Sequence, residues 1–235
     1  MYLLALDTCD SRGSIALLSN EKVLGEIPHP PAAEYSSWLL PAIEDLLRAH
    51  RINHLDLVGY AVASGPGSFT GVRVGLTTVK AWAEVYSKAI FPISRLRVLL
   101  DSAPSNTDFV ATFIDAQRGQ IFAALYRKCA EGWQNVIEES VINPLDFFGS
   151  CLSAAGDMRL AWISLDLNIL ASSPLWHAQK PSFREVVEVQ PPLAASIGRL
   201  ALPYLENSRV DALTLDANYV RRSDAEIFGK KAAGS

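Results

Sequence analysis

One stretch of the sequence decides how the rest is interpreted: Gly65-Pro66-Gly67-Ser68-Phe69-Thr70-Gly71-Val72-Arg73-Val74-Gly75. It joins a predicted buried strand over residues 57–63 to a predicted helix over residues 72–87. Glycines allow close backbone approach, and a helix N-terminus attracts anions, so tight helix packing and anion binding both remain open interpretations. The motif is not a Walker A loop, because no Gly-Lys-Ser/Thr follows, and it is not the Rossmann GxGxxG.

A second motif stands near the N-terminus, where a short apolar run over residues 3–6 ends at Asp7 and Thr8. The run is typical of a central strand that is buried on both faces. A turn after such a strand can aim backbone N–H groups at a phosphate, and an adjacent carboxylate can hold hydrated magnesium. The alternative is that Asp7 and Thr8 only end the strand, and the spacing alone favours this alternative.

The pattern of strand, acid, turn and strand occurs twice in the chain. Apolar strands over residues 3–6 and 14–19 flank Asp7, and strands over 109–114 and 120–127 flank Asp115. Ser, Pro, Asn and Asp cluster over residues 102–108, which indicates a boundary there. We therefore expect two structurally related halves.

The composition excludes several classes of protein. The 235 residues carry a net charge of -4 and a pI of about 5.6, which argues against a protein that binds nucleic acid unaided. The three cysteines lack metal-type spacing, and no apolar stretch is long enough to span a membrane. We expect a cytoplasmic protein with reduced thiols. The pair His50 and His54 has a spacing that can bind zinc on a helix, but it falls where the first helix should end, which favours a solvated helix end.

Five segments, in this order along the chain, resemble the TsaB (YeaZ) family. They are Leu4-Ala5-Leu6-Asp7-Thr8, Leu39-Leu40-Pro41-Ala42-Ile43, the glycine motif, Ile114-Asp115-Ala116-Gln117-Arg118-Gly119-Gln120-Ile121-Phe122 and Tyr219-Val220-Arg221-Arg222-Ser223. The matches cover most of residues 1–127 and the C-terminal segment, whereas residues 130–205 match poorly.

The resemblance implies an α/β protein with the actin-like ATPase (ASKHA) fold, in which two ribonuclease-H-like lobes have mixed sheets flanked by helices. The N-terminal lobe is expected over residues 1–101, with a C-terminal helix over 207–229 returning to it. The C-terminal lobe is expected over 102–206, and residues 230–235 are expected to form a disordered tail.

The resemblance also implies a function. TsaB-like proteins are non-catalytic scaffold subunits in the synthesis of N6-threonylcarbamoyladenosine in tRNA, and they activate the TsaD transferase. The expected partners are a TsaD-type subunit, a TsaE-type ATPase, tRNA through the complex, and a second copy of the chain in isolation. No catalytic residue, metal or cofactor is expected in this chain, because ATP and the metal belong to partner subunits. Arg95 and Leu99 align where TsaD has metal-binding histidines, and neither is a plausible ligand.

Two sets of site residues follow from these interpretations. A vestigial nucleotide site is expected at Asp7, Thr8, Gly65, Gly67 and Ser68. A partner surface is expected on the first-lobe helices, because the second helix is apolar on more than one face. Its residues would be Trp38, Leu39, Ile43, Val72, Leu76, Val79, Lys80 and Ala83. The alternative is that this helix is buried within its own lobe.

Two other functions remain open at this point. An independent ATPase or kinase-like enzyme of the same fold would use Asp7 with the glycine motif. A protease is the weaker alternative, because the sequence offers no paired nucleophile and base.

Overall fold

The computed structural model describes residues 1–171 and 184–205. The chain divides into two compact units, each built on one five-stranded mixed sheet. Among the described residues, the first unit contains 1–98 and 190–205, and the second contains 99–171 and 184–189.

The first lobe has its five strands in the order β3-β2-β1-β4-β5. The strands are β1 Tyr2–Asp7, β2 Ser14–Ser19, β3 Lys22–Pro28, β4 Leu57–Gly65 and β5 Ala89–Ser94. The first three form an antiparallel meander, and β4 and β5 continue the sheet parallel to β1. The central strand β1 is buried along nearly its whole length, in agreement with its continuous apolar run.

Within the described residues, this lobe contains the α-helices α1 Tyr35–Ala49, α2 Phe69–Tyr86, α3 Arg95–Val98 and a late helix, Ala194–Ala201. One face of α1 is buried, and the helix contacts β2 and β3, while α2 packs on β1, β4 and β5. The buried residues of α1 are Leu39, Ile43, Leu46 and Leu47. Pro41 lies inside helix α1. One turn of 3-10 helix, His54–Asp56, connects α1 to β4.

The late helix Ala194–Ala201 packs on β1, β2, β4 and β5 of the first sheet. Its first turn is tied to that sheet by side chains: Ser14 Oγ accepts a 3.0 Å hydrogen bond from Ala194 N–H, and Glu26 Oε1 accepts one of 2.9 Å from Ala195 N–H. A carboxylate at a helix N-terminus also complements the helix dipole.

The second lobe repeats the topology of the first. Its strands are β6 Phe109–Asp115, β7 Ile121–Cys129, β8 Gly132–Ile142, β9 Leu160–Ser164 and β10 Arg184–Glu188. Their order is β10-β9-β6-β7-β8, with β6, β7 and β8 antiparallel and β9 and β10 parallel to β6. This is the order of the first sheet, element for element, and it confirms the two related lobes of the ASKHA fold.

The core of the second lobe lies between its sheet and the helix α4, Pro144–Ala155. Alternate residues of β6 and β7 face this core, as the two-residue period of a strand requires. Trp162 on β9 contacts the rings of Phe147 and Phe148 edge-on, with a centroid distance of 5.1 Å to Phe148. A short helix, α5, follows at Asn168–Ala171, so Ala194–Ala201 is numbered α6.

The observed limits of the lobes differ from the predicted ones at one place. The predicted boundary near residue 102 lies close to the observed one after Val98, but the second lobe was expected to run to residue 206. Residues 194–201 belong instead to the first lobe, because the buried face of α6 packs on the first sheet. The predicted helix over 207–229 and the predicted tail over 230–235 lie outside the described residues.

Within the described residues, no helix is both long enough and apolar enough to cross a membrane.

Candidate functional site

The loop after β1 is held together by its own side chains. Asp7 and Thr8 are fully buried, with 0% and 1% of their surface exposed. Asp7 Oδ1 accepts a 3.0 Å hydrogen bond from Cys9 N–H, and Asp10 Oδ1 accepts one of 2.8 Å from Arg12 N–H. Such bonds to the backbone two residues ahead are typical of tight Asp turns, and they fix the loop over residues 7–12.

The glycine motif begins where β4 ends. Gly65 has a φ of 112°, a backbone conformation that favours glycine. Ser68 is the N-cap of α2, and its hydroxyl accepts a 3.4 Å hydrogen bond from Gly71 N–H. The Ser68 N–H donates a 2.6 Å hydrogen bond to the carbonyl oxygen of Cys9. The start of α2 is therefore attached directly to the loop after β1.

Three glycines of the motif face that loop at very short distances. A Cβ atom added at Gly67 or Gly71 would lie less than 3.0 Å from the carbonyl oxygens of Cys9 or Thr8, and at Gly75 it would meet Thr8 Oγ1. Thr8 Oγ1 also donates a 2.7 Å hydrogen bond to the carbonyl oxygen of Gly71. Of the two interpretations that the sequence left open, the geometry therefore supports tight packing of helix α2 on the loop.

Arg95, the first residue of α3, is fully buried and points at the same loop. Its Nη2 lies 2.9 Å from Asp10 Oδ2, and its Nε lies 3.2 Å from Asp7 Oδ2. Its Nη1 donates a 3.4 Å hydrogen bond to the carbonyl oxygen of Pro66 in the glycine motif. The contact with Asp7 is an ion pair without hydrogen-bond geometry, since neither Asp7 Oδ2 nor Arg95 Nε has a hydrogen-bond partner in the described part of the chain.

Burial and charge oppose each other in this cluster. Burial lowers the pKa of Arg95, but the carboxylates of Asp7 and Asp10 outweigh burial and leave the pKa raised. Burial raises the pKa of Asp10, but the guanidinium groups of Arg95 and Arg12 outweigh it and leave the pKa lowered. Burial and the charge of Asp7 raise the pKa of Cys9, which stays a thiol at neutral pH.

The residues predicted for a nucleotide site do come together, but their contacts do not suit a magnesium nucleotide. Asp7 and Thr8 are inaccessible, the Ser68 N–H bonds to the Cys9 carbonyl oxygen, and Gly67 lies against the backbone of Cys9. A phosphate at this place would need the N–H groups and the space that the protein uses itself. Sequence reasoning identified Arg95 only as a position unsuited to a metal. The sequence did contain a signal for the ion pairs of Arg95: a basic residue directly follows a buried strand, and two acidic residues, Asp7 and Asp10, stand at the end of β1 and just after it.

The predicted partner surface has to be corrected. The side chains of six of its eight residues are buried within the first lobe, because they form the faces of α1 and α2 that pack inward. These are Leu39, Ile43, Val72, Leu76, Val79 and Ala83. Only Trp38 and Lys80 retain intermediate exposure. The alternative, that the second helix is buried in its own lobe, holds for these positions.

The solvent-facing sides of α1 and α2 carry different residues. Thr70, Arg73, Thr77, Ala81 and Val85 are exposed along α2 at spacings of three or four, so they lie on one side of the helix. On α1, the apolar Leu40 is 48% exposed, and Val85 at the end of α2 is 72% exposed.

An aromatic cluster joins the two helices beneath this surface. The ring of His54 stacks on Tyr86 at 4.8 Å and lies 4.5 Å from the ring of Trp82. His54 Nδ1 is 3.0 Å from the hydroxyl of Tyr60, and Nε2 is 3.2 Å from a carboxylate oxygen of Glu44. His54 is only 7% exposed, so the expectation of a solvated histidine at a helix end is wrong for this residue.

The fold and this site define a class: a two-lobed protein of the actin-like ATPase type in which the loop after β1 and the glycine motif are packed against each other within the first lobe. The family model "TsaD: tRNA N6-adenosine threonylcarbamoyltransferase" matches residues 15–174. The chain belongs to this family, and within it the chain is a homologue of the TsaB (YeaZ) proteins.

Individual relatives agree with this assignment. The chain is 32% identical over 142 residues to the tRNA threonylcarbamoyladenosine biosynthesis protein TsaB of Bacillus subtilis, which covers 60% of each chain. It is 29% identical over 147 residues to TsaB of Escherichia coli, covering 61% of this chain and 63% of the relative. YeaZ from Pseudomonas aeruginosa has the same fold, with a TM-score of 0.70, 22% identity and coverage of 91% and 96%. The matches therefore span about 60% of the curated relatives' length.

Proposed function

We propose that this chain is a non-catalytic subunit of the machinery that makes N6-threonylcarbamoyladenosine in tRNA, and that it assembles with a TsaD-type transferase and activates it. The observation that carries the proposal is the similarity to two proteins named for threonylcarbamoyladenosine biosynthesis, combined with the shared YeaZ fold. In this role the chain contributes a folded surface, and the chemistry takes place on its partner.

The first lobe supports a role without catalysis. An ATPase or kinase-like enzyme of this fold would have to present Asp7 and Thr8 to a nucleotide, yet both are buried and bonded within the lobe. Asp10 pairs with Arg95 and the Ser68 N–H bonds to the Cys9 carbonyl oxygen, so these groups are also used within the lobe. We therefore propose that the chain has no cofactor of its own, and that ATP and the metal ion act on the partner subunits.

The surface proposed for the partner is the solvent-facing side of α1 and α2. It combines exposed apolar groups, Leu40 and Val85, with the small side chains of Thr77 and Ala81, which allow another helix to approach closely. Trp38 and Lys80 lie at its margins with intermediate exposure. The buried residues behind it shape the surface without touching the partner.

Three further associations belong to the same proposal. A TsaE-type ATPase docks on the assembled pair, and tRNA is bound through the complex, since the net charge of -4 does not favour binding by this chain alone. In the absence of the transferase, a second copy of the chain occupies the α1–α2 surface and forms a homodimer.

Reconstitution tests the proposal. The purified chain is mixed with its TsaD-type and TsaE-type partners, ATP, threonylcarbamoyl-adenylate and tRNA, and both complex formation and modified adenosine are measured. We expect modification only when all proteins are present. Hydrolysis of ATP by this chain alone, without binding to the transferase, would instead favour the independent ATPase.

Matched substitutions test the surface. Leu40→Glu and Val85→Glu should each weaken binding of the transferase by about tenfold or more, since a charge then has to be desolvated in the interface. Leu145→Glu is the control, because Leu145 is 42% exposed on α4 of the other lobe and receives the same charge. Equal binding by all three variants, each shown to be folded, would exclude this surface. Val79→Glu is unsuitable because Val79 is fully buried.

A further inference from the structure

Three oxygen atoms surround the guanidinium group of Arg95 inside the first lobe. Asp7 Oδ2 and Asp10 Oδ2 come from the loop after β1, and the Pro66 carbonyl oxygen comes from the glycine motif. Arg95 itself follows β5, so one cation connects three separate segments of the chain. Arg95 is fully buried, and its contacts with both carboxylates are at 3.2 Å or less.

Carboxylate and carbonyl oxygens are the ligands that hard divalent cations take in proteins. The state of Asp7 agrees with a cation position here, because its fully buried Oδ2 atom has no hydrogen-bond partner among the described residues and lies 3.2 Å from Arg95 Nε. A buried carboxylate oxygen in that state requires a positive charge nearby. In this chain, the guanidinium group of Arg95 supplies that positive charge.

We propose that Arg95 is an internal cation that permanently occupies a cation position formed by Asp7, Asp10 and the Pro66 carbonyl group. It ties the loop after β1 to the glycine motif without any bound metal or nucleotide. Removing the side chain uncovers a latent site for a small cation, whose best occupant is the guanidinium ion. This inference concerns the first lobe alone and does not depend on tRNA modification.

The contacts around Arg95 explain why a magnesium nucleotide does not compete for the position. The Ser68 N–H, at the start of α2, is used by the Cys9 carbonyl oxygen at 2.6 Å. The Cα atoms of Gly67 and Gly71 lie so close to the loop that even a methyl group would collide with it. With the loops in contact and the cation supplied by Arg95, neither the phosphate nor the metal ion has a place.

Chemical rescue of the full-length Arg95→Ala variant tests the proposal. Its thermal unfolding midpoint is measured with increasing guanidinium chloride at low millimolar concentration, against equal concentrations of sodium chloride and tetramethylammonium chloride. We expect the midpoint to fall by many degrees relative to the wild type and to recover saturably with guanidinium alone. The wild type and the Asp7→Asn/Arg95→Ala variant should show no such recovery.

Arg12→Ala is the matched control, because Arg12 also contacts Asp10 Oδ2 at 2.9 Å but is 37% exposed. Water can solvate Asp10 after this substitution, so we expect a small loss of stability and no response to guanidinium. A folded Arg95→Ala variant that is as stable as the wild type, or that gives no saturable response to guanidinium, would overturn the proposal.

A second variant covers the case in which Arg95→Ala does not fold. Asp7→Asn/Arg95→Leu removes the two charges of the Asp7–Arg95 pair and keeps much of the volume, a replacement that buried ion pairs often tolerate. Asp10 keeps its contact with Arg12 in this variant. Folding of this variant supports the proposal, whereas its failure to fold would overturn it, because shape and not charge would then be what the position requires. Titration of the wild type with Mg·ATP should show no binding, and saturable binding would contradict the exclusion of nucleotide.

Discussion

The hydroxyl group of Thr8 donates a 2.7 Å hydrogen bond to the carbonyl oxygen of Gly71, although 63 residues separate them in the sequence. The two residues belong to the two motifs that the sequence marked as candidates for phosphate binding. Their contact shows that the motifs bind each other. Glycine at position 71 is required by this close approach, because any side chain would strike the backbone of Thr8.

Gly71→Ala should therefore destabilise the protein by about 3 kcal/mol or more, since the added methyl group meets backbone atoms that cannot move aside easily. Urea unfolding at neutral pH measures the change. Gly149→Ala is the control: Gly149 lies in helix α4 and a Cβ atom there meets nothing within 4 Å. Alanine at that position should stabilise the helix by about 0.5–1 kcal/mol. Similar effects of the two substitutions would show that helix propensity, and not the contact with Thr8, governs position 71.

The stability of the first lobe should depend on pH through Asp10, whose pKa folding lowers below its ordinary value of 3.8. The contribution of Asp10 is fully present above pH 3.8 and is lost as the pH falls through the lower value in the folded state, because the unfolded chain then binds the extra proton. Asp10→Asn should lower stability at neutral pH and reduce the loss that the wild type shows in acid. Urea midpoints from pH 7 to pH 3 measure both effects.

The control for this experiment is Asp45→Asn. Asp45 pairs with Arg48 at 2.9 Å, the same distance as Asp10 and Arg95, but the Asp45 side chain is 68% exposed. Exposed pairs contribute little, so this variant should follow the wild type at every pH. An Asp10→Asn curve parallel to that of the wild type would contradict the assigned role of Asp10.

The bond between His54 and Tyr60 should contribute measurably to the aromatic cluster. A carboxylate only accepts hydrogen bonds, so His54 Nε2–H donates to Glu44, and Nδ1 of a neutral ring accepts from the Tyr60 hydroxyl group. Burial, with a smaller effect of Tyr86, raises the pKa of Tyr60 and keeps that donor protonated. A double-mutant cycle with His54→Phe and Tyr60→Phe should give a coupling energy of about 0.5–1.5 kcal/mol.

Tyr35→Phe with His54→Phe provides a comparison cycle, because Tyr35 donates to the Asp10 carbonyl oxygen and has no described contact with His54. That pair should be additive. A coupling energy near zero for His54 and Tyr60 would show that the ring stacking against Tyr86, and not the hydrogen bond, holds His54 in place.

The three cysteines should react with thiol reagents at different rates. Cys9 and Cys151 are fully buried, and burial raises the pKa of both thiols. Cys129, at the end of β7, is partly exposed. One equivalent of thiol should therefore be labelled quickly in the native protein, at Cys129, and the other two only on unfolding. Labelling followed by peptide mass spectrometry identifies the sites. Fast labelling of Cys9 would show that the loop after β1 opens readily.

Much of the fold was predictable because its strands are short, apolar and separated by clear turn residues. The repeated order of strand, acid, turn and strand at Asp7 and Asp115 indicated two related lobes, and the identical strand orders confirm them. Residues 130–205 were harder to interpret. The residues of strand β8 are either exposed or half-buried and lack a clean alternation, and α6 packs on the lobe that precedes it by about a hundred residues.

The sequence predicted that the helices exist, but it did not predict which of their residues face solvent. An apolar residue on α2 can pack inward or face a partner, and the sequence does not distinguish these cases when more than one face is apolar. Helix α2 packs on β1, β4 and β5, and this packing buries positions that were expected to contact a partner, including Val79. The exposed side proved to carry smaller and more polar residues.

From the sequence, the resemblance of its motifs indicated the family, and the repeated pattern of strand, acid, turn and strand indicated two related lobes. The partners of Asp7, Asp10 and Arg95 could be read only from the tertiary structure. The contacts of Arg95 with Asp7 and Asp10 join segments more than 80 residues apart. A local sequence pattern cannot predict contacts over that separation. A buried cation needs a carboxylate partner, and the choice of that partner depends on which chain segments the folded sheet brings within a few ångströms.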